Sequence, residues 1–241
     1  ESGLPEQADW TYEAIWEDSG YIRIGFSVSC AGDVNNDGFE DIISSNSSPS
    51  LALWLFYGSE SGLSSEPKWR YSELYGNSPY TTVSSAGDFN GDGYSDILVG
   101  SHQYQNQNEI GHVMIFLGNS YVPLHTPSHI FRNTDVYRRF GYSVSCAGDI
   151  NKDGKSDVII GIPCDRFSSD TGEVLIGYGT SSNTVNTLSL KGETGGDNFG
   201  FSVSGGDVNG DGYSDIAIGA PKFPAGGSGI SGKCYIYFGS P

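Results

Sequence analysis

Three things are scarce in this chain. Methionine occurs once in 241 residues, Lys and Arg number 12 against 29 Asp and Glu, and the 4 cysteines show no Cys-x-x-Cys spacing. A phosphate-binding face needs clustered Lys and Arg, so no nucleic-acid partner is expected. The cysteine spacing argues against zinc. The longest apolar run, Leu51–Tyr57, is strand-sized. It falls far short of the ~18 residues a membrane helix needs, so no membrane insertion is expected. Common catalytic patterns are missing as well: Gly-x-Ser-x-Gly, His-Glu-x-x-His and a glycine-rich phosphate loop. Of the histidines His102, His112, His125 and His129, only His102 and His112 flank one loop, where a solvated pair is expected. The expectation is therefore no catalytic residues and no enzyme. The chain opens without Met or a signal peptide, which reads as a mature product or an excised segment.

Glycine is abundant, at 35 residues, and Tyr (15) and Phe (12) are frequent. Many short apolar runs between turns, with little helical periodicity, argue for an all-β chain. Four loops stand out: Asp33–Asp41, Asp88–Asp96, Asp149–Asp157 and Asp207–Asp215, each Asp-x-Asn-x-Asp-Gly-x-x-Asp. Oxygen donors at positions 1, 3, 5 and 9, a carbonyl at 7 and a turn-forming Gly at 6 suit a hard cation, calcium before magnesium. The candidate ligands are Asp33, Asn35, Asp37, Phe39 (carbonyl) and Asp41 in the first loop, and Asp88, Asn90, Asp92, Tyr94 (carbonyl) and Asp96 in the second. The third offers Asp149, Asn151, Asp153, Lys155 (carbonyl) and Asp157, and the fourth Asp207, Asn209, Asp211, Tyr213 (carbonyl) and Asp215. An EF-hand would need Glu at position 12, where Ser44, Val99, Ile160 and Ile218 stand instead. Strand-like runs follow each loop, so each reads as a metal-holding β-hairpin connection. A plain Asx turn without metal is the competing reading. Repetition of all the carboxylates disfavours it, because so many converging charges repel without a cation. Up to four structural Ca²⁺ ions are expected, and they would bring the net charge of −17 to −9.

The loop starts at 33, 88, 149 and 207 are 55, 61 and 58 residues apart. Each unit reads as a strand, the loop, an apolar strand, a variable loop, a third strand and a polar fourth strand. Four strands per unit suggest propeller blades. One domain, 1–241, is expected, with units at about 14–72, 73–132, 133–190 and 191–241 plus a strand at 9–13. Cys30 and Cys146 share one repeat position and read as small buried residues, while Cys164 and Cys234 sit near loop ends and could pair.

Phe140-Gly141, Phe199-Gly200, Gly219-Ala220-Pro221 and the near copy Gly161-Ile162-Pro163, together with the Asp loops, resemble the FG-GAP repeats of the integrin α-subunit β-propeller. The first two units depart from the pattern, with Ile24-Gly25 and Pro79-Tyr80 where Phe-Gly is expected. The resemblance implies a propeller of four-stranded FG-GAP blades, four of them in this chain, although family members usually have about seven. It implies calcium loops on one face and ligand binding on the other.

The Glu1-Ser-Gly-Leu4 opening matches the internal Glu60-Ser-Gly-Leu63, so the last unit lacks its outer strand and the N-terminus carries a spare one, Asp9–Glu13. The expectation is self-closure, with the N-terminal strand completing the last blade. Two chains sharing a larger ring, or a segment of a longer chain, are the alternatives. The variable loops Asn46–Ser50, Ser101–Gly111, Ile162–Gly172 and Ala220–Gly232, with Trp16–Tyr21, Tyr75–Tyr80 and Tyr137–Arg139, form the expected ligand face. Asn46-Ser-Ser48 is a sequon in an expected exposed loop. The function expected is a non-catalytic extracellular adhesion or recognition module for protein or glycan ligands, secreted or at the cell surface. The alternative is a structural subunit that self-associates through the N-terminal strand.

Overall fold

The structure, a computed structural model, describes residues 6–14, 24–47, 51–73, 80–102, 111–121, 125–132, 139–163, 170–223 and 231–241. Its regular elements are β-strands, arranged as four antiparallel sheets in chain order. The first holds β1 (Ile24–Gly32), β2 (Asp41–Asn46), β3 (Leu51–Phe56) and β4 (Trp69–Glu73). The second holds β5 (Tyr80–Gly87), β6 (Asp96–His102), β7 (His112–Phe116) and β8 (His129–Arg132). The third holds β9 (Ser143–Gly148), β10 (Asp157–Ile162), β11 (Glu173–Gly177) and β12 (Thr187–Lys191). The fourth holds β13 (Ser202–Gly206), β14 (Asp215–Ala220) and β15 (Lys233–Tyr237). Each sheet is a meander, and the all-β reading and the repeat order hold.

The first strands of consecutive sheets lie side by side, β1 by β5, β5 by β9 and β9 by β13. Side chains alternate along a strand, so each sheet shows a front face to the preceding sheet and a rear face to the next. Apolar cores fill the joints. Rear residues Ile43, Leu55, Trp69 and Tyr71 of the first sheet pack against front residues Val83, Ile97, Val99, Met114 and Phe116 of the second. The second strands β6 and β10 are buried along their whole length. Covering on both faces explains their continuous apolar runs, where a one-sided strand would alternate. Burying one such Ile or Leu side chain stabilises the fold by roughly 1.5–3 kcal/mol.

Four expectations are corrected. Residues 9–13 form no strand, and the last sheet has three strands among the described residues. Trp10 and Tyr12 pack instead on Phe56 of the first sheet, each with ring centroids 4.9 Å away, and Tyr12 accepts a hydrogen bond from Arg70 Nη2 at 3.2 Å. Phe56 lies on a front face with no sheet before it among the described residues, and aromatic burial draws the segment there. The first and last sheets keep open faces: Val28 is 59% exposed and Ile236 45%. Cys30 is exposed for the same reason, while Cys146 is half-buried and Cys234 is a free exposed thiol. Cys164 lies outside the described residues. Asn46 is buried at the end of β2, where its Oδ1 accepts the Ala52 amide at 2.9 Å, so the sequon asparagine is not on an open loop. His102 is buried rather than solvated.

Candidate functional site: the aspartate loops and the aromatic face

Each loop joins the first strand of a sheet to the second, as expected of a hairpin connection. In the second loop, the first carboxylate, Asp88, accepts the amides of Gly91 and Asp92 on Oδ1 and of Gly93 on Oδ2, at 2.7–2.9 Å. Asn90 accepts the Asp92 amide on Oδ1 and donates from Nδ2 to Asp92 Oδ2, both at 2.9 Å. Asp92 Oδ1 accepts the Tyr94 amide at 3.1 Å. The other loops repeat this pattern around Asp33, Asn35 and Asp37, around Asp149, Asn151 and Asp153, and around Asp207, Asn209 and Asp211. The amide of Gly212, with others in its loop, holds the Asp207 carboxyl below the usual range. The position-6 glycines all have positive φ, as the sharp turn requires: Gly38 (91°), Gly93 (90°), Gly154 (86°) and Gly212 (85°). Position 4 also does, in Asn36 (56°), Gly91 (79°), Lys152 (59°) and Gly210 (76°). Sequence reasoning passed over that second turn, although two of its four occupants are Gly.

The ninth-position aspartates do something the sequence did not disclose. Asp41, Asp96, Asp157 and Asp215 are buried. One oxygen of each accepts an amide at position 2 of its own loop (Val34, Phe89, Ile150, Val208) at 2.9–3.0 Å. The other accepts the amide of the glycine that follows the third strand (Gly58, Gly118, Gly179, Gly239) at 2.8–2.9 Å. Each carboxylate thus bolts its loop to the sheet. Burial, with the nearby loop aspartates adding to it, pushes Asp96 up to about 7 and Asp41 and Asp157 up to about 6.

The loops also lock consecutive sheets together. The carbonyl of the first aspartate accepts the position-8 amide of the next loop: Asp33 from Ser95, Asp88 from Ser156 and Asp149 from Ser214, at 2.9–3.1 Å. Gly118 is squeezed between these layers. A Cβ there would lie 2.3 Å from the Ser95 carbonyl oxygen and 2.6 Å from that of Val34.

The donor set of each loop is entirely oxygen, with three carboxylates, an amide oxygen and a carbonyl, and that chemistry fits a hard divalent cation. Among the described residues, no three His, Cys, Asp or Glu side chains are gathered in a ligating cluster. The loop carboxylates point to amides instead.

At the opposite ends of the inner strands, aromatic rings run in a row across the sheets. Phe26 lies 5.6 Å from Tyr80, Tyr80 5.5 Å from His102, His102 4.7 Å from Tyr142, and Tyr142 4.9 Å from Phe201 (ring centroids). The Arg139 guanidinium sits 5.7 Å from the centre of the Tyr142 ring. Phe26, Tyr80, Thr82, His102, Arg139 and Tyr142 line an open cavity of about 400 Å³. Burial, then Arg139, lowers His102 to about 4, so it is neutral at physiological pH. The repeat had a signal for this row, since Phe26, Tyr142 and Phe201 each open a Ser-Val-Ser strand. Of the expected ligand-face loops, residues 16–21, 48–50, 75–79, 103–110, 137–138, 164–169 and 224–230 lie outside the described residues.

The FG-GAP repeat family matches residues 199–237, and the FG-GAP-like repeat family matches residues 33–99. The chain is 35% identical over 145 residues to integrin alpha-IIb of Mus musculus and 37% identical over 139 residues to integrin alpha-6 of Gallus gallus. Each alignment covers 55% of this chain but only 14% and 12% of the relatives, so the chain spans about a seventh of their length. Among solved structures, a mutant NanB sialidase from Streptococcus pneumoniae superposes with a TM-score of 0.52 at 12% identity, over 85% of this chain and 30% of that one. That likeness concerns the fold alone and agrees with a propeller-type arrangement of sheets. Repeat motifs, loop geometry and alignments together support an FG-GAP-repeat, integrin-like domain, with FG-GAP-type repeats matched at residues 33–99 and 199–237.

Proposed function

We propose that this domain is a non-catalytic extracellular recognition module, stabilised by calcium in its loops, that binds protein or glycan ligands on the face opposite them. The observation that carries the reading is the row of rings with Arg139 around an open cavity of about 400 Å³. Aromatic faces stack on sugar rings or apolar side chains, and a guanidinium adds a directional charged donor. A rigid scaffold beneath the cavity is where recognition concentrates. In each loop, the position-1, -3, -5 and -9 side chains and the position-7 carbonyl would hold the ion, from Asp33 to Asp41 and in the three later copies. Calcium there would neutralise converging carboxylates and brace the hairpin. Millimolar extracellular calcium fills even modest sites of this kind. No helix among the described residues is long and apolar enough to cross a membrane.

The test is binding to glycan arrays and to extracellular protein libraries, with Tyr142→Ala and Arg139→Ala compared with the parent. Binding that falls at least tenfold in both variants supports the cavity. Binding that both variants leave intact overturns it. A second reading, a structural subunit, draws support from the open faces of the first and last sheets.

A further inference from the structure

One of the four aspartate loops carries cations of its own. The third has Lys152 at position 4 and Lys155 at position 7. The others have Asn36 and Phe39, Gly91 and Tyr94, and Gly210 and Tyr213 at those places. Lys and Arg number only 12 in the whole chain, so two in one loop of this acidic protein are a concentration of positive charge.

Both side chains leave their own loop and lie on a neighbour. The Lys152 Nζ sits 4.7 Å from the centre of the Tyr213 ring, and a Cβ added at Gly212 would be 2.7 Å from it. Gly212 is the turn glycine of the fourth loop, and its amide donates to Asp207 Oδ2 at 2.9 Å. The Lys155 stem runs along the second loop, where a Cβ added at Gly91 would be 3.3 Å from its Cγ and 3.5 Å from its Cε. The Gly91 amide donates to Asp88 Oδ1 at 2.7 Å. Position 4 of one loop thus meets position 7 of the next at both junctions. The same stacking sets the Ser156 amide on the Asp88 carbonyl and the Ser214 amide on that of Asp149.

The backbone singles out Lys152 as well. Its φ of 59° is left-handed, a conformation that Gly91 and Gly210 adopt freely at the same position and that a Lys side chain disfavours. What Lys adds there is an ammonium over the next loop. Among the described residues neither lysine closes an ion pair, in contrast to Arg70 with Glu66 and Lys233 with Glu193. Each charge therefore acts on the neighbouring loop as a whole instead of neutralising one carboxylate.

We propose that Lys152 weakens the affinity of the fourth loop for calcium, that Lys155 weakens that of the second, and that both leave the first loop unaffected. The inference rests on the calcium reading of the loops given above. Within a loop, the ion and a neighbouring ammonium repel. A unit positive charge about 8 Å from a divalent ion in water lowers its affinity about fivefold at low salt. Lys152 is exposed and Lys155 half-buried, so the effect stays a few-fold, as solvent screening requires. The loops consequently differ in affinity although their ligand sets are the same.

The experiment is a calcium titration of the whole chain at low salt, followed by the amide resonances of Gly38, Gly93 and Gly212, the turn glycines of the first, second and fourth loops. Lys152→Met and Lys155→Met keep the apolar stem and remove the charge. Lys152→Met is expected to lower the calcium midpoint at Gly212 about threefold to fivefold, and Lys155→Met that at Gly93, each leaving Gly38 unchanged. In about 0.5 M KCl both gains are expected to shrink below about twofold. Lys152→Arg, which keeps the charge, is expected to keep the parent midpoint. A Gly212 midpoint that Lys152→Met leaves in place or raises overturns the proposal. So do an equal shift at Gly38 and a gain that persists undiminished in high salt. A parent chain whose glycine resonances do not respond to calcium overturns the calcium reading itself, and this inference with it.

Discussion

The amide of Gly118 donates to Oδ1 of Asp96 at 2.9 Å, across 22 residues of chain. The second oxygen of Asp96 accepts the Phe89 amide at 2.9 Å. This bracket recurs in each unit, and it separates two kinds of aspartate within one loop. Asp96→Ala strands two buried amides, each at a cost of about 1–3 kcal/mol. The expected loss is about 2–4 kcal/mol in chelator, and larger in calcium, where a proposed ligand is lost as well. Asp92 is exposed, and Asp92→Ala is expected to cost less than about 1 kcal/mol in chelator but to remove most of the calcium-dependent stabilisation of its loop. That stabilisation is about 2.7 kcal/mol at a hundredfold excess over Kd. Urea unfolding in the two conditions checks both variants. Equal losses for Asp92→Ala in calcium and chelator would sink the metal assignment of that loop.

Glycine serves two distinct purposes around this bracket. At Gly93 φ is +90° and the space around a Cβ is open, so Gly93→Ala pays only for the backbone, about 1–2 kcal/mol. At Gly118 a Cβ would run into the carbonyl oxygens of Ser95 and Val34. Gly118→Ala is expected to cost about 3 kcal/mol, since rigid backbone must shift. Thermal melts of the two variants side by side test this order, and a Gly118→Ala chain as stable as Gly93→Ala would contradict the close packing between loops.

In chelator, stability is expected to fall as pH rises. Burial raises Asp96 to about 7 in the folded state, against ~3.9 in an unfolded chain. The folded form therefore holds its proton more tightly, a contribution fully present below pH ~4 and lost as pH climbs through about 7. The change attributable to Asp96 is roughly 2–4 kcal/mol. Asp41 and Asp157, raised to about 6, act in the same direction. Calcium favours the ionised carboxylates, so the stability gained on adding it should grow across the same window. Denaturant midpoints at a series of pH values, for the parent and Asp96→Asn, measure the slope. An unchanged slope in the variant would rule out this origin.

His102 contributes with the opposite sign. Its pKa is lowered to about 4 by burial, with Arg139 adding to it, against ~6.5 unfolded. Below pH ~6.5 the unfolded chain takes up the proton first, so stability is lost as pH falls from ~6.5 through about 4. The expected loss is roughly 2–3 kcal/mol. Histidine titration followed by NMR in the folded protein gives the pKa directly, and a normal value would refute the buried environment between Tyr80 and Tyr142.

The sequence by itself determined the local parts. Turn chemistry placed the four loops, because Asp, Asn and Gly at fixed spacing allow few other backbones. Continuous apolar runs such as Ile97–Val99 marked the second strands, and the structure buries β6 and β10 along their whole length. Repetition of the whole pattern gave the number and order of the sheets. Tertiary structure decided what depends on contacts distant in sequence. The role of Asp96 rests on an amide 22 residues away, and no spacing rule marks that partner. Cys30 and Cys146 share one motif, yet only Cys146 has a sheet in front of it, so one is exposed and the other half-buried. Residues 9–13 match a fourth strand in sequence, but whether they meet β15 depends on how far four joined sheets carry the ends around. That angle is a sum of packing geometries over three joints, and no single residue encodes it.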